Sequence, residues 1–208
     1  VHSSLEDTAE MKKPFSLVRE ELEAIQDRLK EIEDEQIELG EQLEKIEKDD
    51  VNARQKVTIY ANKLHTIKRF MEKRNLPGIP ESFLTIFFGA SDYIEELARE
   101  LEATRVNIES VNRWLEILAN TMNELEEETY RIVRNSTLTE QLLQYSNRYR
   151  SFDDNVQAAF NESLHAFEVE FDYAKSLEII SKALDVVEPG VSARFVNSYE
   201  KTRENIRF

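Results

Sequence analysis

Two groups of residues in this sequence have types and spacings that could support chemistry. The first is Glu162 and His165, which match the pattern Glu-x-x-His that places two metal ligands on one face of a helix. A two-metal site in a helical bundle needs two such motifs and two further glutamates, and the sequence contains one copy. We therefore expect no catalytic residues, no metal and no cofactor, and hence no enzyme. A helical metalloenzyme is the alternative that Glu162 and His165 leave open.

The second group lies in the polar, aromatic segment 138–150. It comprises Gln144, Tyr145, Asn147, Arg148, Tyr149 and Arg150. The spacing of Gln144, Asn147 and Arg148 is i, i+3, i+4, so a helix places them on one face. Arg148 and Arg150 also form a small basic island in an acidic chain. Two interpretations stay open: a local cap or hydrogen-bond cluster inside the bundle, or a surface that docks a protein partner.

The composition of the chain excludes several classes of function. Its 42 acidic and 27 basic residues give a net charge of −15, which disfavours binding to nucleic acid and to anionic lipid. Without cysteine the chain forms no disulfide or thiolate metal site. No apolar run approaches the length of a transmembrane helix, so we expect these residues to be soluble.

The elements that must position these groups are predicted to be long helices. Apolar residues recur at alternating spacings of three and four from Phe15 to Met71, interrupted at Gln36 and Asp50, which predicts a coiled-coil helix over 14–74. A second series predicts a helix over 81–134, in which Gly89 is the weak point. The two prolines and the glycine of segment 75–80 end the first helix, and so short a loop predicts antiparallel neighbours.

The ends of the chain differ from this hairpin. Residues 1–13 are expected to be a remnant of cloning or a linker. A cap-like interruption is predicted at 135–137, followed by short helices near 138–150, 154–168, 172–187 and 192–205. The predicted fold is an all-α, elongated, spectrin-repeat-like bundle, with an antiparallel hairpin over 14–136 and a C-terminal part over 137–208 that packs on it.

Three stretches resemble a known family. Segment 139–151, Thr-Glu-Gln-x-x-Gln-Tyr-x-Asn-Arg-Tyr-Arg-Ser, is similar to the signature of EzrA, the septation ring formation regulators of Gram-positive bacteria. Segment 75–80, Asn-Leu-Pro-Gly-Ile-Pro, resembles their C-terminal region. So does segment 171–190, which begins Phe-Asp-Tyr-Ala-Lys-Ser-Leu and ends Val-Glu-Pro-Gly. The resemblance covers about residues 60–190.

The resemblance implies a cytoplasmic scaffold of spectrin-like repeats, held at the membrane by an N-terminal anchor that these residues lack. It implies that the partners are the tubulin-like division protein FtsZ and other division or cell-wall synthesis proteins. The expected location is the cytoplasmic side of the membrane at the midcell septum. A family patch associated with midcell placement corresponds to Gln144, Asn147 and Arg148. The family provides no catalytic residue to transfer.

A second function of a different class stays open. The same heptad seam fits a structural spacer or a dimerisation rod without a docking patch, in which hairpins of two copies pair. Self-association is therefore a further possible property of the chain, and the polar cluster would then be an internal cap.

Overall fold

The computed structural model describes residues 3–103 and 106–202, with side chains from residue 19 onward except that of Glu21. The described residues form six helices and no strand: α1 (Ser3–Glu72), α2 (Glu81–Glu102), α3 (Ile108–Ser146), α4 (Asp154–Glu168), α5 (Tyr173–Val187) and α6 (Val191–Thr202). The predicted all-α bundle is confirmed. None of these helices combines the length and the apolar character needed to cross a membrane. The chain divides into two units, residues 1–52 and 53–208.

The first unit consists of the N-terminal part of α1. The helix begins at Ser3, so Pro14 lies inside it, whereas the prediction placed Pro14 near the start of the helix. Ion pairs such as Arg28 with Glu31 at 2.8 Å link successive turns, and each stabilises an exposed helix by a few tenths of a kcal/mol, about 0.2–0.5. The apolar positions of the predicted seam are 39–61% exposed in the described residues: Leu22, Ile25, Leu29, Ile32, Leu39, Leu43 and Ile46.

The second unit contains a three-helix core built by residues 53–72 of α1, by α2 and by the first half of α3. Its fully buried side chains follow the predicted heptad positions: Ile67, Ala90, Leu97, Val111, Leu118, Met122 and Leu125. The Arg54 guanidinium donates to the Leu101 carbonyl, and the Ser82 hydroxyl donates to Glu128 at 2.9 Å. The first contact places residue 54 of α1 beside the end of α2, and the second places the start of α2 beside residue 128 of α3. The helix α2 therefore runs antiparallel to residues 53–72 of α1 and to the first half of α3.

The prediction of one continuous helix over 81–134 is wrong. The structure ends α2 at Glu102 and begins α3 at Ile108. The apolar series stays in phase across this break, and no glycine or proline marks it. The local signal is Asn107, whose side-chain oxygen accepts from the Ser110 amide at 3.1 Å and so caps α3. Gly89, by contrast, lies within a continuous helix.

The predicted interruption at 135–137 is also wrong, because α3 continues through it to Ser146. The hydroxyls of Ser136 and Thr137 donate to the Val133 carbonyl at 3.1 and 2.8 Å. Such bonds let short polar side chains sit inside a helix. The boundary predicted between 136 and 137 therefore falls inside α3, and no separate helix begins at 138.

A second core forms where the end of α3 meets α4, α5 and α6. It comprises Leu142, Leu143, Val156, Ile180, Leu184 and Val191. Asp153 caps α4 through the amides of Asn155 and Val156, and Asp172 caps α5 through the amide of Lys175. These caps explain why the predicted limits of α4 hold, and why α5 begins one residue after its predicted start.

The acidic run 124–128 is partly buried. Glu128 is 6% exposed and pairs with Arg131, and Glu126 pairs with Lys63 of α1. The heptad pattern could not show this, because the pairing depends on where α1 and α3 meet.

The loop at 73–80 is held against the turn between α4 and α5. Tyr173 donates its hydroxyl to the Gly78 carbonyl at 2.7 Å, and the buried ring of Tyr173 packs edge-on against Phe167. Phe171 adopts a φ of 56°, a left-handed conformation that is uncommon for a non-glycine residue. A Cβ atom on Gly78 would lie 2.5 Å from the Phe171 ring, so glycine is required there.

We predict opposite effects for alanine at two glycines. Gly78→Ala forces the Phe171 ring away and lowers the free energy of unfolding by about 1–3 kcal/mol. Gly89→Ala is the matched control, because a Cβ atom there meets nothing within 4 Å inside a helix. It is expected to stabilise the chain by about 0.5–1 kcal/mol. Urea unfolding measures both, and a Gly78→Ala variant as stable as the parent contradicts the close contact.

Candidate docking site at the end of α3

The predicted site residues lie at the point where α3 ends. Gln144 is in the last helical turn, Asn147 is the C-terminal cap and Arg148 begins the turn that leads to α4. Successive amides close this turn: that of Tyr149 donates to the Ser146 carbonyl at 2.9 Å, and that of Arg150 donates to the same oxygen at 3.1 Å. The side chains of Gln144, Asn147 and Arg148 are exposed, whereas Ser146 is buried.

The two tyrosines of the site share one carboxylate. Tyr145 and Tyr149 donate their hydroxyls to Glu188 Oε2 at 2.7 and 2.6 Å, and Arg194 pairs with the other oxygen of Glu188. The Phe195 ring packs edge-on against Tyr145, with ring centroids 5.3 Å apart. The end of α3 is thereby fixed to the segment that joins α5 and α6.

This cluster shifts the pKa values of Glu188 and Tyr149. Hydrogen bonds from Tyr149 and Tyr145, together with the Arg194 ion pair, lower the pKa of Glu188 to about 2. The hydrogen bond to Glu188 is the main reason that the pKa of Tyr149 is raised to about 12. Both shifts favour the ionised carboxylate beside the neutral phenol, which is the arrangement that the distances describe.

The two arginines of the site rest on aromatic rings. The Arg148 guanidinium carbon lies 4.6 Å from the centroid of Tyr145, and that of Arg150 lies 3.8 Å from the centroid of Phe160. Arg150 also donates to Gln157 at 3.1 Å and to Asn147 at 2.9 Å. Contacts of this kind hold a flexible cation in one place.

Several members of the site were not predicted as site residues. Glu188, Arg194 and Phe195 come from the α5–α6 region, and Gln157 and Phe160 come from α4. The one sequence signal for Glu188 is its place in the stretch 187–190 that carried the resemblance. Nothing in the spacing along the chain links it to Tyr145, which lies 43 residues earlier.

Glu162 and His165 are not brought together as a metal site. His165 Nδ1 lies 3.4 Å from Glu170, which accepts a hydrogen bond from Lys175 at 2.7 Å. Among the residues that the structure describes, no group of three or more histidine, aspartate or glutamate side chains is placed to hold a metal ion. The site at the end of α3 instead offers guanidinium donors, side-chain amides and aromatic surface, which suits recognition of another molecule.

We predict that Glu188→Gln makes stability less sensitive to acid. Because the folded-state pKa is about 2 and the ordinary value is 4.5, the ionised carboxylate stabilises the fold above pH 4.5 and loses this effect as the pH falls towards 2. The free energy of unfolding should therefore differ most between parent and variant at neutral pH and least near about pH 2. Urea titrations across this range provide the measurement. Glu127→Gln, at an exposed position of α3, is the control that should leave the profile unchanged.

Comparison with known proteins identifies relatives over the whole chain. The family model described as "Septation ring formation regulator, EzrA" matches residues 1–199. The septation ring formation regulator EzrA of Streptococcus sanguinis SK36 is 78% identical over all 208 residues, and that of Streptococcus gordonii is 68% identical over the same length. The protein of the same name from Streptococcus pneumoniae Hungary19A-6 is 64% identical over 194 residues, or 93% of the chain. No solved structure matches the chain.

The alignments also show how much of each relative the chain covers. The chain spans 36% of the length of the first two relatives and 34% of the third. The first two alignments include residues 1–13, so they give no support to a cloning or linker remnant there. The resemblance expected from three stretches is confirmed, and the chain belongs to the EzrA family of septation ring formation regulators.

Proposed function

We propose that this chain is a protein-binding scaffold that regulates bacterial cell division, and that the end of α3 is its docking surface. The observation that carries the proposal is the exposed set Gln144, Asn147 and Arg148 on a base fixed by Glu188. An internal cap would direct its polar groups inward, whereas these side chains face solvent. The septation role in the names of the relatives supports the same conclusion.

The finer parts of the proposal concern the partner and the place. We propose that the partners are FtsZ and other division or cell-wall synthesis proteins, met on the cytoplasmic side of the membrane at the midcell septum. The mechanism is steric: the helical scaffold presents its docking surface to the partner and obstructs lateral association of FtsZ filaments. Membership of the family and the resemblance of segment 139–151 support these proposals.

The test is the triple substitution of Gln144, Asn147 and Arg148 by alanine. We expect it to abolish midcell recruitment of a fluorescent fusion and to reduce recovery of FtsZ in a pull-down. Because the three side chains are exposed, unfolding by urea should remain close to that of the parent. Normal recruitment of a folded triple variant would contradict the docking role. The control is alanine at Glu127, an exposed residue in the middle of α3.

A second candidate function, self-association, is supported by the exposed apolar stripe of α1. Seven seam positions between Leu22 and Ile46 are 39–61% exposed, and an apolar stripe of this kind is what coiled-coil partners cover. The charge along the stripe is uneven. Residues 19–30 contain four acidic and three basic residues, whereas 31–50 contain ten acidic and two basic. A second copy in antiparallel orientation keeps the two strongly acidic halves apart, so we propose that orientation.

Light scattering coupled to gel filtration tests this candidate. The parent chain of 24.4 kDa should show twice its monomer mass as concentration rises, and Leu29→Ser with Leu43→Ser should restore the monomer. Ile37→Ser is the matched control, because Ile37 is 63% exposed but lies outside the seam series. A monomer at every concentration would rule out self-association and favour the scaffold alone.

A further inference from the structure

The two arginines at the end of α3, Arg148 and Arg150, differ from their neighbours in that no carboxylate among the described residues pairs with them. Arg131, Arg134 and Arg194 each pair with a glutamate. In the described part of the chain, the side chains of Arg148 and Arg150 contact aromatic rings and amide oxygens instead. The chain contains 42 acidic residues, so carboxylates are abundant, yet the fold places none of the described ones on these two cations.

Most of the hydrogen-bonding capacity of these arginines is unused. A guanidinium carries five N–H donors. Arg150 uses its Nε and one Nη1 hydrogen, on Gln157 and Asn147, which leaves three donors. The Arg148 guanidinium makes no hydrogen bond to any described residue and retains all five. Paired donors of this geometry match the two oxygens of a carboxylate.

Both guanidinium groups are also held in position before any partner arrives. Arg148 rests on the Tyr145 ring, and the hydroxyl of Tyr145 is fixed by Glu188 at 2.7 Å. Arg150 rests on Phe160, which packs against the second core. Holding a long side chain in its bound conformation reduces the entropy lost on binding.

The surroundings supply an apolar contact and little competing negative charge. Phe152 is 73% exposed and packs edge-on against Tyr149, with ring centroids 5.9 Å apart. The acidic residues of segment 141–160 are Asp153 and Asp154. Asp153 accepts from two amides at the start of α4, and Asp154 forms no ion pair with either arginine among the described contacts. The Glu188 carboxylate is already occupied by two tyrosines and Arg194.

We propose that Arg148, Arg150 and Phe152 bind an acidic peptide segment of a partner protein. The carboxylates of the segment accept hydrogen bonds from the two guanidinium groups, and one aromatic or aliphatic side chain packs on Phe152. The inference rests on the proposed function, because it specifies the chemistry of the partner for the same docking surface.

The test uses a short fluorescein-labelled peptide in which one phenylalanine is surrounded by glutamates, titrated with the full 208-residue chain. Fluorescence anisotropy should show saturable binding that weakens as salt rises from about 50 to 200 mM. Arg148→Gln with Arg150→Gln should weaken binding by about tenfold or more, because both paired contacts are lost. The lysine pair at the same positions should bind with intermediate affinity, since lysine keeps the charge but not the paired donors.

The controls separate specific binding from general attraction. Arg113→Gln removes an exposed arginine at the other end of α3 and should leave the affinity unchanged. A peptide with glutamine in place of every glutamate should not bind, and Phe152→Ser should weaken binding of the acidic peptide. Circular dichroism of each variant verifies that the helices are retained. Equal binding of the two peptides, or full affinity of the double glutamine variant, would overturn the inference.

Further outcomes distinguish this inference from the function on which it rests. Binding to vesicles of phosphatidylcholine and phosphatidylglycerol without binding to the acidic peptide would overturn the peptide assignment in favour of a lipid surface. If the alanine triple variant loses midcell recruitment while the two peptides bind alike, the docking function stands and the acidic partner is wrong. If that variant is recruited normally, the docking function itself is wrong, whatever the peptides do.

Discussion

The uninterrupted burial of one face of α3 is the constraint on which the second unit depends. The helix contributes Leu118 and Met122 to the three-helix core and Leu142 to the second core. Both cores therefore share a single rigid element, and burial of each such side chain contributes about 1.5–3 kcal/mol. Within the polar stretch 135–137, the hydroxyls of Ser136 and Thr137 donate to the Val133 carbonyl, so the helix accommodates these residues without a break. This continuity connects the docking surface at the end of α3 to both cores.

Within the docking site, Glu188 joins the separate elements in the way that α3 joins the two cores. Its carboxylate accepts from Tyr145 of α3 and from Tyr149 of the following turn, and it pairs with Arg194 of α6, so one charged group orders three side chains. The Arg148 guanidinium in turn rests on the ring of Tyr145, whose hydroxyl is bound by Glu188. A buried or half-buried ion is stabilising only when its partners are complete, and here they are. The exposed residues of the docking surface thus depend on a charge that lies beneath them.

The three stretches that carried the family resemblance are related by contacts in space. Gly78 of the first accepts from Tyr173 of the third, and Glu188 of the third accepts from Tyr145 of the second. Gly78 must also lack a Cβ atom because the Phe171 ring of the third stretch lies against it, and the two hydrogen bonds require phenolic hydroxyls and a carboxylate. Short separated motifs in a helical protein are therefore explained here by tertiary packing.

The sequence alone determined the helical class, the buried heptad positions of residues 53–72, and the limits of α4, because periodicity and caps act locally. It also indicated the exposed residues Gln144, Asn147 and Arg148, which share one short segment. The break between α2, which ends at Glu102, and α3, which begins at Ile108, was decided by tertiary structure, because two shorter helices bury the same in-phase apolar positions as one long helix. The partnership of Glu188 with Tyr145 and Tyr149 was decided in the same way, since only packing of α5 and α6 on α3 brings residues about forty positions apart within hydrogen-bonding distance.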